Sequence, residues 1–169
     1  MNGANGHGVQ VAQGGRQRPR AVVPEVASQR CLVCDVGELR FAVPMTHLDG
    51  VEPYERATPL PRLPPWVAGV ANVRGAIVGV VDLARFFGLG ETRPGHGRLL
   101  VCNAGPRRVA LAVASARSLV DYPESSLVQP PNVSGRVARY VAGLVSIGDT
   151  AALWLNVERL LADRELISG

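Results

Sequence analysis

Arg30-Cys31-Leu32-Val33-Cys34-Asp35-Val36-Gly37-Glu38-Leu39-Arg40-Phe41-Ala42-Val43 returns 68 residues later as Arg98-Leu99-Leu100-Val101-Cys102-Asn103-Ala104-Gly105-Pro106-Arg107-Arg108-Val109-Ala110-Leu111, with 7 of 14 positions identical. A second match follows each copy at an offset of 74. Val67-Ala68-Gly69-Val70 through Asp82-Leu83-Ala84-Arg85 runs parallel to Val141-Ala142-Gly143-Leu144 through Asn156-Val157-Glu158-Arg159. Two copies fall short of the roughly three repeats that a solenoid needs. They predict two similar β units packed together with a cleft between them. Positions on which the copies agree serve the fold, and positions on which they differ are candidates for function.

Outward from the repeat, residues 31–36 and 39–43 read as strands around Gly37-Glu38, a hairpin connection, and Pro44 ends the second. Another extended piece starts over 48–51. Residues 53–65 hold Pro53, Pro59, Pro61, Pro64 and Pro65. Each proline removes a ladder donor and fixes φ, which makes this stretch an ordered loop or edge. Strands at 67–73 and 76–81 turn about Arg74-Gly75. Asp82 N-caps a short helix at 83–87, and Gly88 stops it. Residues 90–97 form a polar connector. The second half repeats the plan, with strands at 98–103, 107–113 and 117–121 and a Pro-rich loop at 123–135. A hairpin of 140–147 and 151–155 then turns at Gly148-Asp149. Asn156 takes the capping place of Asp82, and a closing helix over 157–166 carries Val157, Leu160 and Leu161 on one face. Short strands at this spacing predict small barrels. The chain therefore reads as mostly β: a tail at 1–29, then one domain over 30–165. Its subdomains fall at about 30–89 and 98–156, followed by the closing helix.

The 169 residues suffice for one domain, or two tightly joined halves, with a real core. The formal net charge is +4, and all of the positive charge is arginine. Arg16, Arg18 and Arg20 against Glu25 concentrate charge in the tail and leave the body nearly neutral. That argues against a nucleic-acid protein, which would show a basic face interleaved with aromatics. Three cysteines make no disulfide framework. Residues 1–29 lack the apolar core of a signal peptide and are too rich in Gly, Gln and Arg to order themselves. They either do nothing or tether weakly to acidic partners. No apolar run approaches the roughly 20 residues of a membrane span. The expected setting is a reduced cytoplasm.

Little here carries chemistry. Cys31 and Cys34 sit three apart on a strand and so face opposite ways, and no second ligand pair follows at zinc spacing. Cys34 matches Cys102 in the other copy, which marks a core position. Buried small hydrophobes stand against a redox or metal use. His7, His47 and His96 are scattered. No phosphate loop, GxGxxG or nucleophile elbow occurs, and nothing suggests an enzyme or a cofactor. Arg74-Gly75 is sharper, because the other copy turns through Gly148-Asp149 between matching strands. The turn does not require an arginine. Arg74 is either a solubilising turn residue or a guanidinium offered to a partner's acidic or carbonyl groups. Leu60, Leu63 and Trp66 read either as core staples or as an exposed ridge, and Val67 reads as core.

The run Pro61 to Pro65, Trp66-Val67-Ala68-Gly69-Val70-Ala71-Asn72-Val73-Arg74-Gly75, then Val80-Val81-Asp82-Leu83 and Gly88, resembles the CheW-domain family of bacterial chemosensory adaptors. The second half fits through Val141-Ala142-Gly143 and the closing helix. The resemblance implies two five-stranded SH3-like β subdomains, no catalysis and no cofactor. It implies two partners: the regulatory domain of a CheA-type histidine kinase and the cytoplasmic hairpin tip of a chemoreceptor. The protein would reach the membrane only through the receptor. It also makes Arg74 the position tied to receptor and kinase coupling, with Asn72 and Gly75 shaping its turn. Val43, Val51, Val101 and Leu111 are then candidates to line an inter-half cleft for the receptor helices. Two departures stand out: Gly50 where the family shows glutamate, and Ala114 where it often shows aspartate. They leave open an accessory adaptor of a type IV pilus (twitching) or other chemosensory system. A thiol or metal protein using Cys31, Cys34 and Cys102 is the reading from a different class.

Overall fold

The computed structural model describes residues 28–130 and 132–168. β1 (Ser28–Val36) and β2 (Leu39–Pro44) pair antiparallel across the Gly37 turn. β3 (Leu48–Tyr54) follows one turn of 3-10 helix. β4 (Val67–Val73) and β5 (Ala76–Asp82) form the next hairpin. The Asp82 carboxylate accepts from the Ala84 and Arg85 amides and starts α1 (Leu83–Phe87), which Gly88 ends in the left-handed conformation at φ 73°. The second half supplies β6 (Gly97–Ala104), β7 (Arg107–Val113), β8 (Ser115–Pro123), a two-residue β9 (Leu127–Val128), β10 (Val141–Ile147), β11 (Thr150–Leu155) and α2 (Val157–Ala162). Asn156 caps α2 through the Arg159 amide. Among the described residues, no helix is long and apolar enough to cross a membrane.

The sheets do not follow the sequence halves. One runs β8-β1-β2-β11-β10-β9 and the other β3-β6-β7-β5-β4. Each takes its β1–β2 or β6–β7 hairpin from the other half, joined by the parallel pairs β2–β11 and β5–β7. The boundaries at 30–89 and 98–156 thus delimit the repeated units, and the packed units are crossed combinations of them.

Burial explains the exchange. The four exchanged strands read as continuous apolar runs because both of their faces are covered, as happens when helices or a second layer lie on each side of a strand. Leu32, Cys34, Phe41 and Val43 point into one large central core together with Leu100, Cys102, Val109 and Leu111. On their opposite faces, Cys31 and Ala42 fill the interior of the first sheet. Leu99, Val101, Ala110 and Ala112 fill that of the second. Two-sided burial is why these hairpins are the best-matched part of the repeat. It also fills the space expected to be a cleft.

The shared Val-Ala-Gly has its own cause. Gly69 and Gly143 each sit beside a register shift. A Cβ on Gly69 would strike the Thr58 carbonyl, and one on Gly143 the Val128 carbonyl. A crossing segment passes too close for any side chain.

Pro53 lies within β3, the edge strand of its sheet, in line with the loop or edge expected of the Pro-rich stretch. Two expectations are corrected. Ser28 and Gln29 belong to β1, and the remainder of the expected tail lies outside the described residues. The closing helix breaks at Asp163, which is extended (φ −74°, ψ 125°) and accepts the Glu165 amide, so that α3 (Glu165–Ser168) starts anew.

Candidate functional site

Val73 and Ala76 face each other across the β4–β5 turn, leaving Arg74 and Gly75 as its two central residues. Both have positive φ, 50° and 84°. This is the primed hairpin turn, whose first place suits Asn, Asp or Gly. The Gly75 amide donates to Asn72 Oδ1 at 2.9 Å, which closes the turn. In the other copy, Gly148 at φ 56° holds the place of Arg74. Arginine there carries the strain of the left-handed region, about 1 kcal/mol or more. Among the described residues, Arg62 is the other non-glycine residue with positive φ.

The Arg74 side chain is 66% exposed, with Nε 2.7 Å from Glu52 Oε1. That oxygen is enclosed and accepts no aligned hydrogen bond, so the attraction is one of charge. β3 and β4 are the two edges of their sheet, and the ion pair joins them. Farther along, Thr58 and Val70 exchange two backbone hydrogen bonds, of 2.7 and 2.9 Å. Between these two ties opens a groove of about 470 Å³ whose lining includes Glu52, Thr58, Val70, Asn72, Arg74 and Ile77. Ile77 is 70% exposed, the most open large apolar side chain among the described residues.

The predicted cleft residues fare differently. Val43 and Leu111 lie in the central core and Val101 inside the second sheet, all essentially inaccessible. They cannot line a groove, because strands buried on both faces have no outward side. Val51, on the outward face of β3, is exposed. The open part of the junction lies elsewhere. It is a groove of about 710 Å³ lined in part by Leu39, Phe87, Leu89, Val133, Val137 and Leu153. Glu52 was not among the sequence candidates, because nothing in the chain marks it as the counter-charge of Arg74.

The remaining candidates are structural. Trp66 is half-buried and hydrogen-bonded to α3, and Val67 packs against the central core. Ala114 donates its amide to the Asp35 carbonyl at 2.9 Å at the β7–β8 corner. All three cysteines are free and buried. Burial pushes the Cys31 thiol up to about 11 and Cys102 to about 12, and raises Cys34 strongly. Among the described residues, no group of three or more His, Cys, Asp or Glu is placed to hold a metal ion.

A family model described as the CheW-like domain matches residues 30–165. The Chemotaxis protein CheW of Klebsiella aerogenes is 24% identical over 144 residues, 84% of this chain and 87% of its own. Protein FrzA of Myxococcus xanthus is 32% identical over 146 residues, covering 84% of this chain and 91% of its own. Among solved structures, the scaffolding protein TtCheW of Thermoanaerobacter tengcongensis matches with a TM-score of 0.73 at 21% identity, over 82% of this chain and 96% of that one. At that identity the likeness is one of fold.

Proposed function

This chain belongs to the CheW-like domain family, and on that premise we propose that it is a non-catalytic adaptor coupling chemoreceptors to a CheA-type histidine kinase. The observation that carries the site is Arg74. The fold accepts glycine at the equivalent turn of its other half, yet here an arginine bears left-handed strain to stand two-thirds exposed at the mouth of a groove. Strain kept at one turn and absent from its twin points to use by a partner. Guanidinium is the side chain suited to gripping a partner's carboxylate or carbonyl groups.

The apolar groove beside Leu39, Phe87 and Leu153 has the character needed to seat an amphipathic receptor helix tip. The kinase regulatory domain is the second partner. Recruitment to membrane arrays follows from the receptor contact.

A second reading keeps the adaptor role and changes the system it serves. The FrzA relative, at 32% identity, is named apart from the CheW relatives. That favours considering an alternative chemosensory system, including one that drives twitching.

The test is a pull-down of the tagged chain beside Arg74→Glu from the source cell. A CheA-type kinase and a chemoreceptor should come down with wild type and be lost with the variant. Neither partner appearing with wild type would sink the coupling role. Both persisting with the variant would sink the role of Arg74.

A further inference from the structure

The apolar groove beside Leu39 and Leu153 has two walls of different kind. Phe87 and Leu89 form one, at the end of α1, a helix capped at both ends. Val133 and Val137 form the other, carried by irregular chain over 132–135 and a single 3-10 turn, Arg136–Arg139. Gly135 enters that turn at φ 78° and ψ −162°, a conformation essentially reserved to glycine. A four-residue 3-10 turn has poor hydrogen-bond geometry and does not hold its own place.

Arg136 fastens the second wall to the first. Its Nη1 donates to the Phe86 carbonyl at 3.0 Å. That carbonyl lies in the last turn of α1, where the Gly88 and Leu89 amides bond back to Arg85 and Ala84 and leave it free. The guanidinium carbon stands 4.6 Å from the centre of the Trp66 ring and 4.8 Å from that of Phe86. The two rings meet edge-on, so the cation fills the corner between them. Among the described residues, no other side-chain hydrogen bond or ion pair joins the turn and Tyr140 to α1. Tyr140 and Arg139 reach Asp163 and Glu165 instead. From this we infer that Arg136 is the positioning residue of the groove, fixing the wall of Val133 and Val137 at a set distance from the wall of Phe87 and Leu89. The inference rests on the groove being the receptor seat. The guanidinium is spent on α1 and the two rings, so it acts through the walls. A groove held to width before a helix arrives removes part of the ordering cost of binding.

The probe is the purified cytoplasmic hairpin-tip fragment of a chemoreceptor from the source cell, titrated against the full chain. The CheA-type kinase is titrated in parallel. Arg136→Met keeps an apolar stem against the rings and deletes the donor and the charge. It should weaken receptor binding by about three- to tenfold, the scale of one hydrogen bond from a charged group. Kinase binding should stay within about twofold of wild type on that scale. Arg136→Lys restores a cation to the corner and a donor to Phe86, and should recover most of the receptor binding. Glu165→Gln touches only the Nη2 contact at 3.9 Å, and should bind both partners like wild type. Amide exchange is the second readout. Ala138 and Tyr140 donate within the turn at 3.2 and 3.0 Å. Both amides should exchange faster in Arg136→Met and regain protection when the receptor fragment is bound.

Urea midpoints of every variant verify folding. If wild type does not bind the receptor fragment, the receptor reading of the groove fails first and takes the inference with it. If wild type binds and Arg136→Met binds equally well, the positioning role fails and the receptor reading stands. Equal loss of receptor and kinase, or quickened exchange throughout the strands, assigns Arg136 to the fold at large and overturns the inference. So does an Arg136→Lys that recovers nothing.

Discussion

The Asp82 carboxylate accepts the amide of Thr92, ten residues away, at 2.9 Å through Oδ2, while its Oδ1 accepts those of Ala84 and Arg85. Its counterpart Asn156 accepts one amide, that of Arg159 at 3.0 Å. The two caps share a place in the repeat but differ in load. Asp82 is buried and also anchors the connector to β6, whereas Asn156 starts a helix and little else. Asp82→Ala strands three amides in a buried setting and should cost about 2–3 kcal/mol. Asn156→Ala should cost about 1 kcal/mol. Urea unfolding of the two variants checks the ranking, and equal losses would refute it.

Trp66 ties the Pro-rich segment to the chain end. Its Nε1 donates to the carbonyls of Leu166 at 3.0 Å and Glu165 at 3.2 Å. Its ring meets Phe86 edge-on, and the Arg136 guanidinium lies 4.6 Å over it. Trp66→Phe keeps an aromatic ring and deletes the donor, so it should cost about 1 kcal/mol. The loss should be local. Amide exchange should quicken in α3 while the strands keep their protection, and uniform quickening would contradict this assignment.

Hairpins, caps and α1 were legible in the sequence because each has a local cause: period-two patterning, a turn pair, or a capping carboxylate. The exchange of hairpins was not, since two copies of one unit offer equivalent edges and sequence similarity cannot say which edge a hairpin joins. For the same reason Val43, Val101 and Leu111 read as cleft candidates, when both faces of their strands are in fact covered. Arg74 was legible by contrast with Gly148. Glu52 was not, because its partner lies across the barrel mouth with no fixed spacing in the chain. Asp163, where the closing helix breaks, also accepts a hydrogen bond from the Tyr140 hydroxyl, another contact invisible to periodicity.

Cys31, Cys34 and Cys102 should be inert in the native protein. The thiolate is the nucleophile, and burial raises all three thiols far enough that little thiolate exists near neutral pH. A chromogenic disulfide reagent at pH 8 should label none of the 3 cysteines in the folded chain and all of them in guanidinium. Rapid labelling of even one native thiol would revive a redox role.

Asp35 sets part of the acid limb of stability. It reaches Arg40 on β2 at 3.0 Å and the Ser115 hydroxyl on β8 at 2.9 Å, and also pairs with Arg117. Burial alone would push its carboxyl up; the hydrogen bonds from Arg117, Arg40 and Ser115 together outweigh it and hold the carboxyl below its ordinary value. A depressed folded value means that the stabilisation is complete above the unfolded value, about 3.9, and drains away as pH falls through the folded one. Asp163, lowered first by the Tyr140 hydroxyl, works in the same sense. Asp82, raised by burial against its backbone amides, works in the opposite one. Asp35→Asn isolates the first contribution. At pH 7 it should be about 1–2 kcal/mol less stable than wild type. The gap should shrink as pH is lowered from about 5 toward 2. Parallel stability curves over that range would show that the Asp35 cluster acts through shape, with no contribution from its charge.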